Sequence, residues 1–312
     1  MPETGFTDVR RFASLDSTNR YLLDEARAGA PEGVVAVADH QTAGRGRLGR
    51  TWEAPSGANL LLSVLLRPDL GPNQRHLAAT AVALAALDVI VGSEAIGSDV
   101  SGGGGHGGGG PGGAGGGGQA GGPGGGGQAG GPGCPGGRSV PGVGPRLPPT
   151  VGIKWPNDLV TPDGRKLAGV LAEADVTSTA TGVPAPVVVG IGVNVNWPAS
   201  DAELPPELRG IACSLRQLVG AVVDREALLA ALLAALVPRV AALATVAGRT
   251  CLAADLRAAC TTLGRPVRVD LTDESFFGTA TTVTDDGHLV VDVDGIPRAV
   301  VVGDVVHVRP AG

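Results

Sequence analysis

Between Gly102 and Gly137 this chain is mostly glycine, and the nonapeptide GGGGQAGGP stands there twice in tandem, at 115–123 and 124–132. A stretch with almost no apolar side chains cannot offset the backbone entropy lost on ordering it, so it adds nothing to a core. We read 93–149 as a disordered insertion on the surface of a folded unit, since loop-closure entropy grows only with the logarithm of length. A tolerated low-complexity expansion and a functional tether both fit that composition. Whatever folds must be built from the flanking segments. In a chain of 312 residues these suffice for one large domain or two ordinary ones.

The balance of charge narrows the chemistry. With 24 Lys+Arg against 30 Asp+Glu the formal net charge is −6, which argues against a protein whose main work is coating nucleic acid. Cationic chemistry must therefore be local. Cys134, Cys213, Cys251 and Cys260 lie far apart with no C-x-x-C pair, so their spacing suggests neither a disulfide framework nor a zinc site. The N-terminal MPET lacks the regions of a signal peptide. The longest apolar run, Ala227 to Val237, is too short to span a bilayer. A soluble cytoplasmic protein with no membrane partner is the expectation.

Local patterns predict the elements. "LDSTNRYLLDEARAGA" reads as a helix with Asp16, Ser17 and Thr18 as cap candidates, a stripe of Tyr21, Leu22 and Ala26, and Gly29 closing it. "GVVAVADHQ" (33–41) and "NLLLSVLL" (59–66) read as strands, and "HLAATAVALAALDVI" (76–90) as a buried helix. After the insertion, "VGIKW" (151–155), "KLAGVLAEA" (166–174) and "PVVVGIGVNVNW" (186–197) read as strands, and 224–247 and 252–263 as helices, the first capped by Asp224. From Gly264 five short strands follow without a helix, with turns at Asp286-Gly287 and Asp294-Gly295, the pattern of a small barrel.

Three segments place polar groups where their surroundings favour core. Ser17-Thr18-Asn19 opens a helix and could be a plain N-cap. In "QTAGRGRLGRTW", Gly44, Gly46 and Gly49 let backbone N–H groups turn toward an anion, and Arg45, Arg47 and Arg50 are forked donors suited to carboxylate or phosphate. By itself this loop could equally be a solvated turn or a non-specific nucleic-acid contact; it is neither a Walker A loop nor a dinucleotide fingerprint. In the third segment, Lys154-Trp155-Pro156-Asn157-Asp158 leads to Lys166, which opens an apolar strand. That ammonium needs an anionic partner unless it sits at the strand's exposed mouth. Gly190 and Gly192 permit close backbone approach, with Asn194 and Asn196 on the same strand face by the period of two. Trp52 and Trp155 could form the lid and wall of a site, or be core residues.

In their order, "LDSTN", "QTAGRGRLGRTW", "GANLLLSVLL", "KWPNDL", "GRKLAGVLAE" and "GIGVNVN" resemble the biotin–protein ligases, enzymes that attach biotin to the carrier protein of a carboxylase. The resemblance covers nearly all of the chain outside 93–149, and "GRPVRVDL", "FFGTA" and "GDVVHVR" are similar to the family's SH3-like domain. It implies an α/β (α+β) catalytic domain, a mixed sheet flanked by helices, at 1–263 and an SH3-like domain at 264–312. The implied activity is ATP- and Mg²⁺-dependent conversion of biotin to biotinyl-5′-AMP, then transfer to a lysine of a biotin carboxyl carrier protein. The implied biotin contacts fall on Ser17, Thr18, Asn19, Gln41, Arg45, Gly46, Arg47 and Lys166, with Lys166, Arg45 and Arg47 catalytic. Trp52, Asn157, Asp158, Gly192, Asn194 and Arg309 are the implied nucleotide contacts, and no metal site on the chain itself is expected.

Only 16 residues precede Ser17, too few for the helix-turn-helix that many family members carry, so no DNA partner is expected. A monomer or weak homodimer is expected. Three rivals remain at this stage: a lipoyl or octanoyl ligase or transferase of similar fold, a nucleic-acid-binding module using the RGR patch, and a biotin-binding protein without catalysis. Against the first, Gly-Arg-Gly-Arg-Leu-Gly-Arg stands where those relatives place an S-G-G-G-rich motif. Against the second stand the acidic balance and the few aromatics: four Phe, one Tyr, three Trp.

Overall fold

The computed structural model describes residues 5–92, 151–174, 184–301 and 303–307. The insertion read at 93–149, and Arg309, lie outside the described residues. The strands are β1 (Val9–Phe12), β2 (Val35–Ala38), β3 (Leu60–Leu66), β4 (Gly152–Lys154), β5 (Asp158–Val160), β6 (Lys166–Ala174) and β7 (Val187–Val193). They form one seven-stranded sheet in the order β1-β2-β3-β7-β6-β5-β4. The pair β1–β2 is parallel and the remaining pairs are antiparallel, so the sheet is mixed, as expected.

Both faces of this sheet are covered, which explains why β3 reads as an apolar run broken only by Ser63 rather than as an alternating one. On one face lies α1 (Thr18–Arg27), where Leu22 and Ala26 pack on Ala36, Leu65 and Val188. On the other lie α2 (Leu77–Gly92) and α4 (Arg225–Ala241), which pack on each other. The buried cation Arg239 of α4 ties the pair together, donating to both oxygens of Asp88 on α2 at 2.8 and 2.9 Å and also to Asp255. Among the described residues, the helices Pro72–Gly92 and Arg225–Ala244 are each long and apolar enough to cross a membrane by length and composition. The second extends past the run Ala227 to Val237 that the sequence showed, and α2 is largely buried within the fold.

The helix α1 begins where the cap pattern put it: Ser17 is extended and its hydroxyl accepts from the Arg20 N–H at 3.5 Å. Asp224 caps α4 through the amides of Glu226 and Ala227. The helices differ from expectation in three ways: a short helix α3 (Leu215–Val219) precedes α4, α4 ends at Ala241 short of 247, and α5 runs Val246–Ala259 in place of 252–263, with Thr245 capping its start. The strand read at 186–197 ends at Val193, where Asn194 turns inward. Cys213 and Cys260 carry free thiols.

The C-terminal segment forms a second sheet of five antiparallel strands: β8 (Pro266–Asp270), β9 (Ser275–Val283), β10 (Leu289–Val293), β11 (Ile296–Val300) and β12 (Asp304–His307), in the order β11-β10-β9-β8-β12. It is fastened to the first unit by Trp155, which is buried and donates its indole N–H to Gly287 O at 3.1 Å. Trp155 is thus a core residue between the sheets.

Fully buried Leu22 is the peg that seats α1, and with it Ser17 to Asn19, on the sheet. Leu22→Ala is expected to cost about 2–5 kcal/mol of stability through lost burial and the cavity left behind, measured as a lower midpoint in urea unfolding.

Candidate active site

On the α1 face of the sheet three glycines leave a trough. Gly190 and Gly192 of β7 and Gly169 of β6 point to that side, while Val189, Ile191 and Val170 point into the core. A Cβ on Gly190 would collide with the Asn19 side chain, and one on Gly192 would come within 2.7 Å of the Trp52 ring. These positions hold glycine because helix α1 and the Trp52 ring approach the strand backbone closely.

The strand β6 would alternate strictly but for a bulge. Leu159 pairs with Ala168 and Val160 with Lys166, so two residues of β6 oppose one step of β5. Leu167 and Ala168 both face the core, and Lys166 turns into the trough beside Gly169. A bulge re-aims a side chain in this way. Lys166 Nζ lies 2.8 Å from Asp158 Oδ1, the anionic partner that its place in an apolar strand demanded, and 5.5 Å from the centre of the Trp52 ring.

The loop 41–52 folds back over this trough. Trp52 N–H donates to Gly44 O at 3.0 Å and Gly46 N–H to Arg50 O at 2.6 Å. The Gly46 amide is therefore taken inside the loop and is not free for an anion, contrary to the sequence expectation. Gly44 instead permits contact with Trp52 O, which a Cβ would block. Arg47 donates to Asn157 Oδ1 at 3.2 Å and Gly303 O at 2.6 Å, and Arg50 pairs with Asp304 at 2.7 Å. Burial pushes the Arg47 guanidinium below the usual arginine value, and the charges of Asp304 and Asp158 oppose that shift. Arg45 is more exposed and reaches Glu173 Oε1 at 3.4 Å.

Two adjoining cavities result. One of about 40 Å³ is lined by Ser17, Thr18, Asn19, Gln41 and Arg45, with Gly190 and Gly192 as its floor. The other, of about 110 Å³, gathers Arg45, Gly46, Arg47, Asn157, Asp158 and Lys166. They share Arg45, Trp52, Gly169 and Leu171 as walls. In the first, Gln41 Oε1 accepts from Thr18 N–H at 2.8 Å, and Ser63 Oγ lies 2.7 Å from Thr18 Oγ1 and 2.6 Å from Asn19 Oδ1. A larger cavity of about 280 Å³ lies beside them between α2, β6 and the second sheet. Of the predicted residues only Arg47, Asn157 and the wall candidate Trp155 reach it, so its size does not make it the centre of the chemistry.

Most of the predicted constellation is thus brought together. Asn194 is not: its buried amide is spent on Asn59, Lys166 O and Cys213 O, and it lines none of these three cavities. It braces the backbone behind Lys166. Three contributors went unread in the sequence. Ser63 was the lone hydroxyl in "NLLLSVLL", a signal that could have been used. Glu173 and Asp304 carried no comparable mark.

Comparison with known proteins bears on this geometry. Residues 11–107 match the Biotin/lipoate A/B protein ligase family, and 262–308 match the Biotin protein ligase C terminal domain. The biotin–[acetyl-CoA-carboxylase] ligase of Mycobacterium tuberculosis is 33% identical over 98% of this chain and 91% of its own length. The chain belongs to the biotin protein ligase family. The bifunctional ligase/repressor BirA of Bacillus spizizenii is 29% identical over 91% of this chain and 69% of its own length. Among solved structures, the Aquifex aeolicus biotin protein ligase, in complex with biotin and ATP, aligns over 97% of this chain and 99% of its own. Its TM-score is 0.65 at 21% identity, so it shares the fold of the family: a mixed sheet flanked by helices with an all-β C-terminal unit.

The close fit of Asn19 against Gly190 makes a test that does not depend on activity. Gly190→Ala must push the Asn19 amide away from Ser63, and the overpacking is expected to cost about 1–3 kcal/mol, read from urea unfolding curves.

Proposed function

We infer that this chain uses ATP to turn biotin into biotinyl-5′-AMP and then transfers the biotinyl group to a lysine of a biotin carboxyl carrier protein. The observation that carries the reading is the convergence of Arg45, Arg47 and Lys166 on one cavity that adjoins, across Trp52, the polar pocket of Ser17 to Asn19. The hydroxyl and amide groups of that pocket suit the ureido ring of biotin. The cationic cavity suits a carboxylate and a phosphate.

The chemistry explains why charge must be gathered there. A carboxylate is a poor acyl donor because its leaving group would be oxide. In the first step a carboxylate oxygen attacks the α-phosphorus of ATP, the bond from that phosphorus to the bridging oxygen breaks, and pyrophosphate leaves. Two anions are forced together, so positioning and positive charge dominate. Arg45 and Lys166 take the carboxylate side, and Arg47, held by Asn157, the α-phosphate side. Mg²⁺ would come with the nucleotide in this reading and would offset the charge of its phosphates; Asp158 and Asp304 line the same cavity, paired there with Lys166 and Arg50. In the second step the carrier's lysine amine attacks the acyl carbon, the bond to the phosphate oxygen breaks and AMP leaves.

Trp52 supports a role for the loop as a cover. Its ring fills the space over Gly169 and Gly192, and its buried indole N–H has no acceptor among the described residues. A bound acyl adenylate would displace the ring and be roofed by it, which keeps water from the reactive anhydride. The same reading divides the chain into a catalytic unit, 1–263, and a C-terminal unit, 264–312, and puts the protein with its substrates in the cytoplasm.

Incubation with ATP, Mg²⁺ and labelled biotin or lipoate tests the proposal. Pyrophosphate release and a labelled adenylate are expected with biotin and not with lipoate; the reverse would transfer the chain to the lipoate branch. Lys166→Ala and Arg47→Ala should each lower the adenylation rate by about 10²–10³-fold with little change in thermal midpoint. Normal activation by both variants would overturn these roles.

A further inference from the structure

We propose that Glu173 is a positioning residue for biotin activation: its carboxylate joins the cationic loop to the first turn of α1 and holds both in the binding arrangement. The proposal rests on reading the site as one for biotin adenylation. Glu173 lines none of the three cavities, so it is not placed to touch a substrate. It does touch two residues that line the smaller pocket. Glu173 Oε2 accepts from Asn19 Nδ2 at 2.7 Å, and Oε1 faces Arg45 NH1 at 3.4 Å.

The first contact sets which way the Asn19 amide points. Its nitrogen donates to Glu173 and to Leu171 O at 3.2 Å, and its oxygen faces Ser63 Oγ. A flipped amide would set oxygen against carboxylate and carbonyl, so Glu173 excludes that state. The second contact reaches the loop through a solvent-accessible guanidinium at long range. Such a pair is weak and exchangeable. It is strong enough to keep Arg45 over the pocket and weak enough to release it to a substrate anion. From Arg45 through Glu173, Asn19, Ser63 and Thr18 to Gln41, polar contacts run unbroken along the pocket wall. Glu173 is the link in that chain contributed by β6, the strand that also carries Lys166.

The test compares Glu173→Ala, Glu173→Gln and the full-length parent by pyrophosphate release against biotin concentration, and by the rate of tryptic cleavage after Arg45, Arg47 and Arg50 in the native protein. Glu173→Ala is expected to raise the biotin KM about tenfold with kcat within about threefold, and to speed cleavage of the loop several-fold. Glu173→Gln keeps an acceptor for Asn19 but loses the charge facing Arg45, so it should recover part of the KM while its loop stays sensitive. In an Arg45→Ala background the effect of Glu173→Ala on KM should shrink, because the shared contact is already gone. Parent-like KM and loop cleavage in both variants, or strict additivity with Arg45→Ala, would overturn the role. If the parent itself releases no pyrophosphate with biotin, the adenylation reading fails, and the cleavage rates still decide whether Glu173 holds the loop. Glu173→Gln, nearly isosteric, decides the matter should Glu173→Ala not fold.

Discussion

Arg45, Arg47 and Lys166 face one cavity of about 110 Å³, where each repels the other two, and the structure around them is arranged to contain that repulsion. At such separations the like-charge cost is on the order of a few kcal/mol in a partly screened site. Each cation has its own acceptor: Glu173 for Arg45, Asn157 and Gly303 O for Arg47, Asp158 for Lys166. Those acceptors come from β5, β6 and the edge of the second sheet. Both sheets are therefore needed to assemble one electrostatic centre. Arg50, paired with Asp304, adds a further tie between the loop and β12.

The bulge in β6 matters as much as the charges do. Without it, Lys166 would share the core face with Leu167's neighbours Ala168 and Val170, where an ammonium has no partner. One extra residue at the start of the strand reverses that parity and lets an apolar strand deliver a cation to the trough. The backbone there is pinned from behind: Lys166 N–H donates to Ile211 O at 2.6 Å and Cys213 N–H to Lys166 O at 2.9 Å, while the Asn194 amide bridges to Asn59. The side chain itself is steadied by its ion pair with Asp158.

Much of this was legible in the sequence, for identifiable reasons. The strands at 166–174 and 59–66 are mostly apolar because both sheet faces are covered, and α1 announced itself through Ser17 and its Leu22 stripe. The order of the glycine–arginine loop, KWPND and RKLAG marked the chemistry. What stayed hidden was of two kinds. Parity changes such as the β6 bulge leave no local trace, since Leu-Ala reads the same bulged or straight; the inward turn of Asn194 was missed for the same reason. Contacts between segments distant in sequence were also invisible: Glu173 to Asn19 and Arg45, or Gly303 and Asp304 to the loop. An exposed-looking carboxylate carries no sign of which cation will face it.

The central claim is that the pocket of Ser17 to Asn19 and the cavity of Arg47 and Lys166 are two ends of a single site across which acid and nucleotide meet. A crystal structure of the full chain with biotin and a non-hydrolysable ATP analogue tests it most directly. The account predicts the biotin ring against Thr18, Asn19 and Gln41, its carboxylate between Arg45 and Lys166, the α-phosphate beside Arg47, and Trp52 lifted from Gly192. Biotin or nucleotide bound instead in the larger cavity between α2 and the second sheet, with Lys166 still facing only Asp158, would contradict it.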